Sequence, residues 1–171
     1  ASYSIDDIGN ITELDRYQTA PGSNCIVHNT HILNDYAVTS WYTEGVVVVD
    51  NDRPNNLIEV AKYDFSDFEG DGFNGCWGVY PYLPSGNIIA SDIETGLWVL
   101  TPNYQRACYL EGTVTDSSCG TNLDNVSVVI GNNLASDMSN VDGVFRTGTV
   151  IPGTYSVTFS KPGYTLSLIH I

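Results

Sequence analysis

Basic residues are scarce in this 171-residue chain, with six Lys and Arg against 20 Asp and Glu and a formal net charge of −14. The six (Arg16, Arg53, Lys62, Arg106, Arg146 and Lys161) are scattered singly. A phosphate-binding surface needs clustered cations that displace counterions, so nucleic acid is not expected as a partner. An anionic membrane surface is disfavoured for the same reason. Long apolar runs are also missing. The longest aliphatic stretch, Val46, Val47, Val48 and Val49, is far too short to cross a bilayer, so no membrane insertion is expected of this segment. There is no initiator Met and no charged-then-apolar leader at the start, which reads as a mature chain or one cut from something longer. The signatures of common catalytic sites are absent too. No GxSxG elbow, phosphate-cradling glycine loop or HExxH helix occurs, and the reading is therefore non-enzymatic.

What is present describes strands. Eleven Tyr, three Trp and five Phe stand among 16 Gly and seven Pro, with a single Met. Aromatic and β-branched residues favour pleated strands, and the Gly and Pro content favours tight turns between them, so the chain is expected to be all-β. The charge is uneven: residues 1–107 carry 15 acids and four bases, and residues 108–171 carry five acids and two bases. Two units are expected.

Residues 1–107 repeat themselves. A shift of 51 residues lays Cys25 on Cys76, Ser40 on Ser91 and Gly45 on Gly96, with residues 46–49 falling on Leu97, Trp98, Val99 and Leu100. A shift of 46 lays residues 10–17 on residues 56–63. Within one unit the pattern predicts strands over 26–33, 36–42, 46–50 and 57–64, with turns at Asn34-Asp35, Glu44-Gly45 and residues 53–56. The second unit predicts strands over 76–82, 87–92 and 96–100, and the end of an earlier unit is read at 3–5 and 11–17. Four short strands in about fifty residues form the pattern of one β-propeller blade, and a ring needs roughly four to eight of them. The expectation is a partial propeller, about two blades and part of a preceding one, from a larger ring.

Three stretches carry a resemblance: His28-Asn29-Thr30-His31, Ser40-Trp41-Tyr42-Thr43-Glu44-Gly45 with the valine run and Asp50, and the string from Trp77-Gly78-Val79-Tyr80-Pro81-Tyr82 to Asn87-Ile88-Ile89-Ala90-Ser91-Asp92-Ile93. They resemble the LVIVD-type repeats of the choice-of-anchor B family, secreted bacterial β-propeller proteins. The likeness covers about residues 1–104. It implies an exported, extracellular or cell-surface scaffold or binding protein with no assigned reaction, whose partners would be extracellular proteins or glycans.

A second pattern starts at residue 108. Residues 109–116 read as a strand running into a turn, residues 125–130 as its partner, and Asp142-Gly143 as a tight turn before residues 144–147. Residues 152–159 and Lys161-Pro162-Gly163-Tyr164 complete a set that resembles the carboxypeptidase regulatory-like domain, a small transthyretin-like β-sandwich. The likeness covers about 108–165 and implies a non-catalytic accessory. It stops after Tyr164. Residues 166–171 read as a non-native tail, leaving the sandwich incomplete with an unpaired last edge.

The candidate site residues are few. Asp67, Glu69 and Asp71 place acids at alternate positions of a loop closed by glycine, as in the first half of an EF-hand loop, which makes calcium the one cofactor to consider. The bidentate Glu of the twelfth position is missing, since Gly78 falls there. A solvated acidic loop is the competing reading, and no other cofactor is expected. His28 and His31 stand three apart on a strand, so alternation sends them to opposite faces. Cys108 and Cys119 are separated by too long a strand to bridge. A bridge between Cys25 and Cys76 would need unusually close inner strands, and buried free thiols are favoured. Trp41, Trp77, Trp98, Tyr80 and Tyr82 form either the packing between sheets or a sugar-stacking surface. The function expected is a non-enzymatic surface scaffold or binding protein. A calcium-stabilised adhesion or carbohydrate-binding module, and a hydrolase whose active site lies in blades outside this chain, are the alternatives.

Overall fold

The computed structural model describes all 171 residues and divides the chain into two units, Ala1–Arg106 and Ala107–Ile171. Both are built from strands, with one short 3-10 turn at Tyr42–Glu44. The chain is all-β, as its composition predicts.

The first unit opens with a hairpin of β1 (Ser2–Ile5) and β2 (Ile11–Asp15). A four-stranded antiparallel sheet follows in the order β3 (Val27–Leu33), β4 (Tyr36–Trp41), β5 (Gly45–Asp50) and β6 (Ile58–Tyr63). Asn34, at φ 54°, lets the two-residue turn between β3 and β4 close. The valine run is buried on both faces, with Val46, Val47, Val48 and Val49 all at most 4% exposed. It is the central strand that its unbroken apolar sequence indicates. A three-stranded sheet comes next: β7 (Cys76–Tyr80), β8 (Ile88–Asp92) and β9 (Gly96–Leu100). The turn between β8 and β9 is held by Asp92, whose Oδ1 accepts from the backbone N–H groups of Glu94 and Thr95.

The two sheets share a register. Trp41 pairs with Gly45 and Ala37 with Val49 in the first, and Asp92 pairs with Gly96 and Ile88 with Leu100 in the second, a shift of 51 in every case. The leading strands obey a different shift. Val27 pairs with Trp41 and Cys76 with Asp92, which is a shift of 49. Two additional residues in the loop before β8 account for the change. Cys25 is therefore not the counterpart of Cys76: it precedes β3 and packs with Trp41, Val47 and Val49, whereas Cys76 opens β7 and corresponds to Val27. Both leading strands are bulged at the same place, between Val27 and Asn29 in β3 and between Cys76 and Gly78 in β7.

The second unit holds two sheets. One pairs β10 (Cys108–Thr113) with β13 (Val144–Thr149), and the other runs β12 (Ala135–Met138), β11 (Ser127–Ile130), β14 (Ser156–Ser160) and β15 (Ser167–His170). The sequence reading, which paired the first strand with residues 125–130, is corrected here. Leu110 faces Thr147 of β13, while β11 is flanked by β12 and β14. The reason is the layering, because the chain crosses to the other sheet after β10 and returns only at β13, so that the two sheets cover one core. That core is Val128, Ile130, Phe145 and Val157, with Leu110, Val114, Tyr155 and Phe159 packed against it. The edge expected to be open beyond Tyr164 is occupied, since β15 pairs with β14 through Ile169 opposite Val157 and Leu168 opposite Thr158.

Candidate ligand-binding site

Several exposed aromatic side chains of the first unit gather where β3 meets β7. Two groups of rings lie there. In one, the His28 ring is 5.0 Å from Trp77 and 5.4 Å from Tyr42, and Tyr42 meets Phe73 edge-on at 5.3 Å. In the other, His31 contacts Tyr82 at 5.6 Å and Tyr80 at 6.2 Å, and the two tyrosines meet edge-on at 5.3 Å. Tyr42 is buried, but Phe73, Trp77, Tyr80 and Tyr82 are 68%, 53%, 45% and 41% exposed. Large aromatic surface left in water costs free energy roughly in proportion to its area, so an exposed cluster of this kind marks a contact site more than scattered single residues do.

Local structure fixes the rings. Gly75 adopts φ +83°, and a Cβ there would stand 2.2 Å from the Tyr42 carbonyl oxygen. Only glycine admits β7 this close to Tyr42, and the approach sets Trp77 beside it. Ser40 Oγ, in turn, donates to the Trp77 carbonyl at 3.3 Å. The Tyr82 hydroxyl donates to the Ile32 carbonyl at 2.7 Å, and Asn29 Nδ2 lies 3.2 Å from His31 Nε2.

His28 and His31 both contact rings of β7 or of the loop after it, against the expectation that alternation separates them. The bulge between Val27 and Asn29 is the cause: an additional residue in one strand shifts the alternation by one. Among the tryptophans and tyrosines considered from sequence, Trp41 is core, at 7% exposed. Trp98 is half-buried and stacked on Phe65 at 5.1 Å. Trp77, Tyr80 and Tyr82 belong to the exposed group. Phe73 and Tyr42 were not singled out from sequence. Phe73 lies in an irregular loop with no periodicity to flag it, and Tyr42 reads there as the end of a strand.

Asp67, Glu69 and Asp71 all lie on the exposed loop before β7. No three His, Cys, Asp or Glu side chains gather closely enough to hold a metal ion, so the three carboxylates do not form a preorganised cation cradle. Gly70 and Gly72, at φ 76° and 128°, turn the backbone between successive acids, and Thr43 Oγ1 ties the loop down by donating to the Gly70 carbonyl at 2.7 Å. The four cysteines are free, with Cys25 and Cys76 buried and Cys108 and Cys119 exposed. Burial pushes the Cys76 thiol up to about 12, which makes it inert near neutrality. Hydrogen bonds to Thr121 lower the Cys119 thiol below its ordinary value.

No helix is long and apolar enough to cross a membrane. No curated protein and no solved structure matches the chain. Residues 109–169 match a family model, and by that match the C-terminal unit carries a carboxypeptidase regulatory-like domain.

Proposed function

We propose that this chain is part of a non-enzymatic, exported binding protein. In this reading the two related sheets of the first unit are successive blades of a partial β-propeller of the LVIVD type, and the regulatory-like domain is a non-catalytic accessory to it. The observation that carries the reading is the exposed aromatic group: Trp77, Tyr80, Tyr82 and Phe73, steadied by His28 and His31. The ligand class that fits is a neutral extracellular glycan. The apolar faces of a pyranose stack on Trp and Tyr, and polar ring edges serve its hydroxyls. The net charge of −14 opposes acidic polysaccharides.

Titration with neutral oligosaccharides, read by calorimetry and tryptophan fluorescence, tests this. Trp77→Ala and Tyr80→Ala are each expected to weaken binding by about tenfold or more, while Trp98→Phe retains it. Absence of saturable binding, or binding indifferent to Trp77→Ala, would refute the reading.

A further inference from the structure

The chain contains a single Asn–Gly step, Asn74-Gly75, directly ahead of β7. Asparagine is reactive in this setting. Because glycine has no Cβ, its backbone nitrogen approaches the preceding side-chain carbon with little hindrance, and attack there closes a cyclic imide. The structure opposes that attack in three ways. One carboxylate holds both reacting groups: Glu94 Oε1 accepts from Asn74 Nδ2 at 2.7 Å, and Glu94 Oε2 accepts from the Gly75 backbone N–H at 2.8 Å. The Gly75 carbonyl accepts from the Ile93 N–H at 2.9 Å, which anchors the other side of the residue. Gly75 is also buried against the Tyr42 carbonyl oxygen, which a Cβ would approach to 2.2 Å, so its backbone has little freedom to rotate toward the Asn74 side chain. Glu94 is itself placed by the turn between β8 and β9, where its N–H donates to Asp92 Oδ1 at 3.0 Å.

We propose that Asn74 is a latent deamidation site and that Glu94 is the group that keeps it shut. The chemistry needs only water. The Gly75 nitrogen gives its proton to solvent and bonds to Asn74 Cγ, the Cγ–Nδ2 bond breaks, and ammonia leaves with a proton taken from solvent. Water then opens the imide. Addition at Cγ restores the ordinary backbone with an aspartate side chain, whereas addition at the backbone carbonyl carbon frees that carbon as a carboxylate and routes the chain through the side chain, as isoaspartate. Either product sets a new carboxylate against Glu94, and like charges that close repel. Isoaspartate also lengthens the backbone beside Gly75, whose close approach to Tyr42 sets Trp77 in place. Deamidation therefore disrupts the group of Tyr42, Phe73 and Trp77 and acts on it as a one-way switch. The proposal rests on the Glu94 contacts and does not depend on the glycan reading.

The test incubates the full 171-residue chain in mildly alkaline buffer and follows Asn74 by peptide mass spectrometry, with enzymatic methylation to count isoaspartate. Folded wild type is expected to convert slowly, and wild type in urea far faster. Glu94→Gln leaves one acceptor where there were two and is expected to convert faster than folded wild type by about tenfold or more, the factor by which losing a hydrogen bond to an ionised acceptor favours opening. Glu94→Ala, with neither acceptor, is expected to be faster still. A variant that simply unfolds would also convert quickly, so thiol labelling of Cys76, buried and one residue beyond Gly75, is read in the same samples. Cys76 is expected to stay blocked while Asn74 converts. The converted form of Glu94→Gln, separated by charge, is expected to differ from the unconverted form in tryptophan fluorescence. Folded wild type converting as fast as in urea, Glu94 variants converting no faster than wild type, acceleration matched by Cys76 labelling, or a converted form with unchanged fluorescence would overturn the proposal.

Discussion

Gly45 and Gly96 are counterparts at the shift of 51, and alanine at the two positions separates the effect of backbone conformation from that of packing. Both have positive φ, +74° and +88°, where an L side chain costs roughly 1–2 kcal/mol. Their surroundings differ. A Cβ on Gly45 would stand 2.2 Å from the Tyr63 carbonyl oxygen and 2.7 Å from the Asp64 Cα, whereas Gly96 has nothing within 4 Å. The difference arises because β5 is flanked by β6, where Val46 pairs with Tyr63, and β9 has no fourth strand beside it. Relieving the Gly45→Ala overlap means drawing the end of β6 away and losing one or two ladder hydrogen bonds, each about 0.5–1.5 kcal/mol. Gly96→Ala is thus expected to cost about 1–2 kcal/mol and Gly45→Ala about 3–4 kcal/mol. All three tryptophans, Trp41, Trp77 and Trp98, lie in the first unit, so tryptophan fluorescence in urea follows that unit alone. At roughly 4 °C or more per kcal/mol for a unit of this size, thermal midpoints resolve the two variants. Equal losses would show that conformation alone sets the cost and that the β5–β6 approach is not as tight as described.

Three further outcomes follow from the site chemistry. Thiol reagents are expected to label Cys119 first and Cys108 next, leaving Cys25 and Cys76 untouched until urea unfolds the chain; mass spectrometry of peptides reads the order, and early labelling of Cys76 would contradict its burial. Stability should fall with alkaline pH. Burial raises the Cys76 thiol from 9.0 to about 12, so the folded state holds that proton where the unfolded state releases it, and the contribution present below about 9 is lost as pH rises toward 12. Cys76→Ala should flatten this slope in urea melts taken at a series of pH values. Millimolar calcium should leave the melting midpoint unchanged, because Asp67, Glu69 and Asp71 are not gathered; a rise that Glu69→Gln removes would establish a calcium site there.

Much of the strand order is legible because turn residues punctuate it. Asn34-Asp35, Gly45 and Gly96 mark their boundaries, and β9 begins and ends where the sequence pattern places it. The hidden parts are those that depend on distant chain. The pairing of β10 with β13 joins segments separated by β11 and β12, and no local pattern names a partner across a sandwich. β12, Ala135–Met138, is a four-residue strand with exposed Ser136 and Met138, too short and polar to show periodicity. The shift of 51 comes from the invariant hairpin of the second and third strands. The shift of 49 stays invisible because conserved spacing between two cysteines is an attractive but false anchor once a loop has gained residues.

The aromatic group shows how an irregularity in a regular element decides which side chains share a face. In an unbroken strand, positions 28 and 31 point to opposite faces, and so do positions 77 and 80. One ring of each pair would then be turned away from the junction of β3 and β7. The bulges at His28 and Trp77 reverse that outcome in both strands, so that His28 meets Trp77 and His31 meets Tyr80. Neither bulge alone would suffice, because each histidine needs a ring on the other strand to meet. A bulge also leaves an unpaired residue and strengthens local twist, which costs ladder pairing. Two such defects at matching places in two related sheets are hard to explain by packing alone, since His28 and Trp77 remain largely exposed. They are explained if the arrangement they produce, a row of aromatic rings open to solvent along adjacent leading strands, is what the fold is built to present.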